Sequence, residues 1–145
     1  MCQGGTFTWN DDYKFTCPDH VQATWIYPEG FMVSYTTNCG NSGGDSFLIS
    51  GENGAIDLAN WEKPMLTGDG AGPNKACVAG PKMIDHVERP DHMLDWLQCI
   101  RTRNTPNASI DAGYQHAVAV IMAMRAYDTG HRMVYDPDHR EIRKG

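Results

Sequence analysis

From residue 117 to residue 124 the chain carries no polar side chain. This run sits inside a longer helical pattern and constrains the fold more than any other stretch. A helix that is apolar all round is expected to be buried all round, so the run predicts the central core helix. Ser109 stands where an N-cap is needed and Asp111 falls in the first turn. Gly130 fits a C-terminal stop. Upstream, Met93, Trp96, Leu97 and Ile100 recur at i, i+3, i+4 and i+7, the apolar stripe of an amphipathic helix. Asp91, Asp95, Gln98 and Arg101 take the wet side of that helix. Pro90 and Asp91 mark its start, and Pro106 biases Thr105 away from helical angles and ends it. Arg132-Met133-Val134-Tyr135 reads as a short strand before Asp136-Pro137.

The first half reads as strand. Val21, Ala23, Trp25 and Tyr27 alternate with Gln22, Thr24 and Ile26; then Phe31, Val33 and Tyr35 alternate with Met32, Ser34 and Thr36. Pro28-Glu29-Gly30 separates the two runs, which predicts a β-hairpin. The odd positions carry the bulk and should face the helices. The even face, with Gln22, Thr24, Met32, Ser34 and Thr36, is too wet for a core and apolar enough for a partner, so these five are the candidate interface residues. Thr6-Phe7-Thr8-Trp9 also alternates and reads as a strand. Phe47-Leu48-Ile49 and Ala55-Ile56-Asp57-Leu58 pair across the turn Gly51-Glu52-Asn53-Gly54. Residues 60–88 are the least regular, with a loop at Gly68, Gly70 and Gly72. Strands followed by helices predict an α+β domain over residues 1–145: a largely antiparallel open sheet with two C-terminal helices on one face. The other face is left free for dimerisation.

Composition narrows the function classes. A net charge of -6 argues against a nucleic-acid partner. No apolar run reaches the ~18 residues of a membrane span. A chain of this size is expected to bury roughly 68–70% of its unfolded surface. The five cysteines form no C-x-x-C pair, so the expectation is free thiols in a reducing, cytoplasmic setting and no zinc site. Met1 to Gly5 has no basic or apolar leader character, so no signal peptide is expected there. The sequon Asn107-Ala108-Ser109 carries little weight without one.

Several blocks follow one another along the chain: Asp19-His20-Val21-Gln22-Ala23-Thr24-Trp25-Ile26-Tyr27-Pro28-Glu29-Gly30-Phe31 and Ile49-Ser50-Gly51-Glu52-Asn53-Gly54-Ala55-Ile56. They continue with His92-Met93-Leu94-Asp95-Trp96-Leu97-Gln98-Cys99-Ile100-Arg101, Pro106-Asn107-Ala108, Gly113, and Gly130-His131-Arg132-Met133-Val134-Tyr135-Asp136-Pro137. In this order they resemble the C-terminal domain of the Gfo/Idh/MocA family, the relatives of glucose–fructose oxidoreductase and inositol dehydrogenase. The resemblance implies one half of an enzyme that moves hydride between NAD or NADP and a sugar, polyol or similar substrate. This half would supply the oligomerisation sheet and one wall of the substrate pocket, and the nucleotide-binding Rossmann domain would lie on the half not represented.

The expectation is accordingly that this chain binds no cofactor or metal and carries no catalytic residue of its own. A dinucleotide cradle needs a strand, a Gly-rich turn and a helix start. The glycines at 68, 70 and 72 are followed by Pro73 and lack a leading apolar strand. Glu62-Lys63-Pro64 matches a catalytic tripeptide of the family's Rossmann domain, but here it follows sheet sequence, so Lys63 reads as a surface charge. Asp85-His86 and Asp91-His92 are adjacent, and Asp111 and His116 are five apart, so none has acid–base spacing along a helix. His20, His92, His131 and His139 read as surface or capping residues. His116, one turn before the apolar run, reads as a hydrogen-bonded core histidine, and Tyr114 stands where the family often has histidine. The competing reading is a stand-alone binding or assembly module of the same fold.

Overall fold

The computed structural model describes residues 1–9, 15–68 and 80–145. Seven strands, β1 (Cys2–Gly5), β2 (His20–Tyr27), β3 (Phe31–Asn38), β4 (Ser46–Gly51), β5 (Gly54–Asp57), β6 (Met65–Gly68) and β7 (Gly80–Met83), lie side by side in chain order. Every neighbouring pair is antiparallel. Two helices follow, α1 (His92–Thr102) and α2 (Ile110–Thr129), and then a separate hairpin, β8 (Met133–Asp136) and β9 (Glu141–Lys144). The protein is therefore α+β with a large antiparallel sheet, as the order of strand and helix patterns implies.

The central hairpin forms where the two period-2 runs place it. Gly30 takes φ 89°, a value that L side chains resist, and its N–H donates to the Tyr27 carbonyl at 3.1 Å. Gly54 holds φ 147° at the start of β5, and a Cβ there would run into the Thr67 carbonyl. The resulting register ranks one apolar row across the sheet: Trp25, Val33, Ile49, Ile56 and Leu66, ending at Lys82. The odd face is thus the apolar face, and Ala23 and Val33 on it are buried.

Helix α2 packs along β1, β2 and β8. The indole N–H of Trp25 donates to the Ala119 carbonyl at 3.0 Å and ties the helix to the odd face. Ser109 Oγ accepts the Ala112 N–H, and Gly130 closes the helix at φ 67° with its N–H on the Ala126 carbonyl. These caps match the sequence signals. The burial does not. Only one side of α2 is covered, through Val118, Ala119, Met122, Ala123 and Ala126. Val120, Ile121 and Met124 are 43%, 41% and 60% exposed, so the expectation of burial all round is corrected. An unbroken apolar run says that apolar atoms are abundant, not that a partner exists on every side.

Helix α1 departs further. Asp91 caps it by accepting the Leu94 N–H at 3.0 Å, as expected of its position. It ends at Thr102, with Arg103 in the left-handed region at φ 62°, ahead of the Pro106 signal. It has no buried residue, and its apolar stripe points out: Met93, Trp96, Leu97 and Ile100 are all exposed. The half-buried positions are Asp95 and Cys99 instead. Asp95 Oδ2 accepts the Asn107 N–H at 2.8 Å, which turns the expected wet side inward.

Three further expectations are corrected. Residues 6–9 are not a strand: the amides of Phe7, Thr8 and Trp9 turn onto the Asp19 carboxylate. The irregular stretch from 60 holds β6 and β7, and β9 follows β8; all are four-residue strands. His116 is exposed and is no core residue. Of the Gly-rich loop, Gly70 and Gly72 lie outside the described residues.

Candidate functional site

The register assembles the five candidate interface residues into one patch. Gln22 faces Thr36 and Thr24 faces Ser34 across β2 and β3, while Met32 faces Ile26. Because directly opposed residues in an antiparallel pair point to the same face, all five stand on the side of the sheet opposite Trp25 and α2. The row continues outward from Thr24 and Ser34 through Leu48, Asp57, Met65 and Met83. Gln22 is exposed, Met32 is 39% exposed and Ile26 is 73% exposed; Thr24, Ser34 and Thr36 are half-buried. Among the described residues the helix that packs against the sheet at β1 and β2 is α2, on the side of Trp25. It is a broad, shallow surface of hydroxyls and methyls with a small apolar cluster at the hairpin end.

At the opposite end of β2 sits a buried charge that the sequence reading passed over. Asp19 is 5% exposed. Its carboxylate accepts the backbone N–H of Phe7 at 2.9 Å, of Thr8 at 2.8 Å and of Trp9 at 2.9 Å. His20 Nδ1 lies 2.6 Å from Oδ1, the oxygen that also accepts the Phe7 N–H, and the imidazole stands edge-on to the Phe7 ring. Burial is the largest single influence and favours the neutral acid, but the His20 contact and the three amide donors together outweigh it and hold the carboxyl well below its ordinary range. With the carboxylate fixed as acceptor, Nδ1 carries the proton and Nε2 accepts from Asn41 Nδ2 at 2.9 Å. This network secures the chain between β1 and β2 and ties it to the loop after β3, since the Asp19 carbonyl also accepts the Cys39 N–H. His20, expected to be a surface or capping residue in a strand lead-in, is the second member of this clamp. Every polar atom of the pair is committed to the fold, which makes it a clamp and not an acid–base site.

Near the C-terminus, Tyr114 and Tyr135 share a hydrogen bond of 2.9 Å, and Arg140 lies 5.7 Å above the Tyr114 ring. The Tyr114 contact is the main reason that the Tyr135 hydroxyl is pushed up, with burial adding to it. Asp136 is held down by His139, which bonds it at 3.1 Å, with Arg143 at 3.4 Å. The Tyr114–Tyr135 and Arg140–Tyr114 contacts join α2 to the β8–β9 hairpin, and the Asp136 pairs lie within that hairpin. A shallow cleft lined by Arg89, Pro90, His92, Asp95, Asn107 and Ala108 opens at the start of α1. Lys63 lies in an exposed turn, where its backbone N–H donates to the Asn60 carbonyl. Among the described residues no group of three His, Cys, Asp or Glu side chains converges on a common point, and no helix is long and apolar enough to cross a membrane.

The largest anomaly is the amount of surface. A folded monomer of 16.1 kDa should expose roughly 7,400 Å². The chain exposes 11243 Å². Allowing the sixteen undescribed residues the full area of an unfolded chain still leaves an excess of roughly 1,500–2,000 Å². The expected two-thirds burial is therefore not reached. Among the described residues the buried hydrophobic ones are Ala23, Val33, Ala126 and Met133, two of which are alanines. Large apolar side chains are exposed on both helices, at Ile26 and Met32 of the central hairpin, and in connecting segments at Phe7, Trp9, Phe15, Trp61 and Val87.

Compared with models of known protein families, with curated proteins and with solved structures, the chain matches none.

Proposed function

We propose that this chain is the assembly half of an NAD(P)-dependent oxidoreductase acting on a sugar, polyol or related substrate. Its open sheet face pairs with a second copy, and it lends one wall to a substrate pocket completed by a separate Rossmann domain that binds the nucleotide. The class of enzyme rests on the resemblance of the ordered sequence blocks to the Gfo/Idh/MocA C-terminal domain. What supports the role is the register, which sets Gln22, Thr24, Met32, Ser34 and Thr36 on one side of a seven-stranded sheet, away from the Trp25 indole that bonds α2. A two-fold contact is the default for such a face, because the same patch meets itself and Ser and Thr hydroxyls serve as both donors and acceptors.

Calorimetric titration with NADH and NADPH tests the enzyme half of the reading. The expected result is no binding by this chain alone, and micromolar affinity would overturn it. Light scattering tests the assembly half: a dimer or larger species is expected, and a monomer at high protein concentration would contradict it.

A further inference from the structure

His20 is held by two groups that ask opposite things of it. Nδ1 lies 2.6 Å from Asp19 Oδ1, and Nε2 lies 2.9 Å from Asn41 Nδ2. The orientation of the Asn41 amide is fixed from its other end. Its Oδ1 accepts the Gly43 N–H at 2.7 Å, so the NH₂ group is the part that meets the ring. An amide NH₂ donates and does not accept, so Nε2 is the acceptor and the ring is the neutral tautomer protonated at Nδ1. Asp19 accepts from Nδ1–H whether the ring is neutral or charged, and as an anion it favours the charged form. The Asn41 contact, by contrast, requires the neutral ring. The imidazole side chain is 20% exposed, so solvent protons reach it.

We propose that His20 is an acid-sensitive latch on the loop after β3: charging the ring places an N–H on Nε2, donor then faces donor, and residues 40–43 are released from the end of β2. Histidine is the side chain that ordinarily changes charge between pH 5 and 8. Asp19 stays ionised over that range, because His20 and three backbone amides hold its carboxyl well below the usual values. It keeps its own bond and draws the proton onto His20, so the clamp between β1 and β2 survives and the loss falls on Asn41. If the Asn41 amide turns over to offer Oδ1 to the new N–H, the Gly43 N–H loses its acceptor, so the loop gives up one bond either way. The opening is bounded on both sides. The Cys39 N–H stays on the Asp19 carbonyl, and Asn38 Nδ2 donates to the Gly44 carbonyl at 2.9 Å. Among the described residues, the groups facing the ring from β1 and the segment after it are Gly5, across the ladder, and the Phe7 ring, neither of which titrates. From β3 and its loop they are Asn38, across the ladder, and Asn41. The carboxylate on that side, Asp45, is engaged by the Asn38 N–H at 3.1 Å. The loop is therefore held at pH above the titration of the ring and let go as pH falls through it.

The test follows the whole chain, labelled with nitrogen-15, by NMR from pH 8 to pH 5. The ring nitrogens of His20 report its tautomer and its charge, and the Gly43 amide reports the loop. At pH 8 the ring should be protonated at Nδ1 and bare at Nε2. As it charges, protection of the Gly43 amide from hydrogen exchange, corrected for the intrinsic effect of pH, should fall roughly 3- to 10-fold, the worth of one hydrogen bond. The fall should share the midpoint of the His20 ring. Asn41 is an exposed loop residue, so Asn41→Asp should leave the fold intact. It keeps an acceptor for the Gly43 N–H and offers a second to the charged ring. In this variant the His20 midpoint should move to higher pH, and Gly43 protection should rise as the ring charges. A ring protonated at Nε2 at pH 8 would overturn the proposal. So would Gly43 protection in the wild type that ignores pH or follows another midpoint, or an Asn41→Asp variant that still loses protection on acidification.

Discussion

The indole N–H of Trp25 donates to the main-chain carbonyl of Ala119 at 3.0 Å, across a separation of 94 residues. This bond joins the apolar face of β2 to the covered side of α2. It sets α2 on the Trp25 side of the sheet. Replacing Trp25 with Phe keeps an aromatic ring on the row with Val33 but leaves nothing to donate. We predict a loss of about 1–2 kcal/mol in urea unfolding with an unchanged dependence on denaturant, from the lost hydrogen bond and the smaller ring. A variant as stable as the wild type would show that packing alone seats α2.

Asp19 supplies a pH dependence whose sign follows from its depressed folded pKa. The unfolded carboxyl titrates near 3.9. The stabilisation from Asp19 is therefore fully present above about pH 4 and is lost progressively as pH falls toward the lower folded value. Asp19→Asn keeps the shape but cannot accept three amides and His20 as an anion. The variant should be less stable at neutral pH, and the difference from wild type should shrink below about pH 4. Unfolding followed from pH 7 to pH 2 measures this. A gap that stays constant across the range would contradict the clamp.

Arg103 ends α1 in the left-handed region, where a side chain adds strain and glycine does not. Arg103→Gly should raise stability by about 1 kcal/mol, the lower end of the cost of such a conformation in a non-glycine residue. Thermal or urea unfolding reads it, and a loss of stability would mean that the Arg103 side chain contributes something its backbone obscures.

What could be read from the residues was local. The hairpin of β2 and β3 was legible because two period-2 runs flank Pro28-Glu29-Gly30, and its register then brings the five even-face residues together. The helix starts were legible because Asp91 and Ser109 sit where a side-chain acceptor is needed. Strands β6, β7 and β9 were not, since four residues with glycine, proline or several charges carry too little alternation to stand out. The covering of helices was also hidden. Periodicity identifies an apolar stripe on α1, but it does not say whether anything covers that stripe, and in the fold the stripe is exposed. The Asp19 clamp combines one carboxylate with amides 10 to 12 residues away, and no spacing rule announces that.

The account stands or falls on the open face of the sheet. Sedimentation equilibrium of the whole chain, with and without Thr24→Arg and Ser34→Arg, reads that face. We predict that the wild type sediments as two copies and that the doubly substituted variant is a folded single copy. Identical masses with and without the two arginines would contradict the central claim.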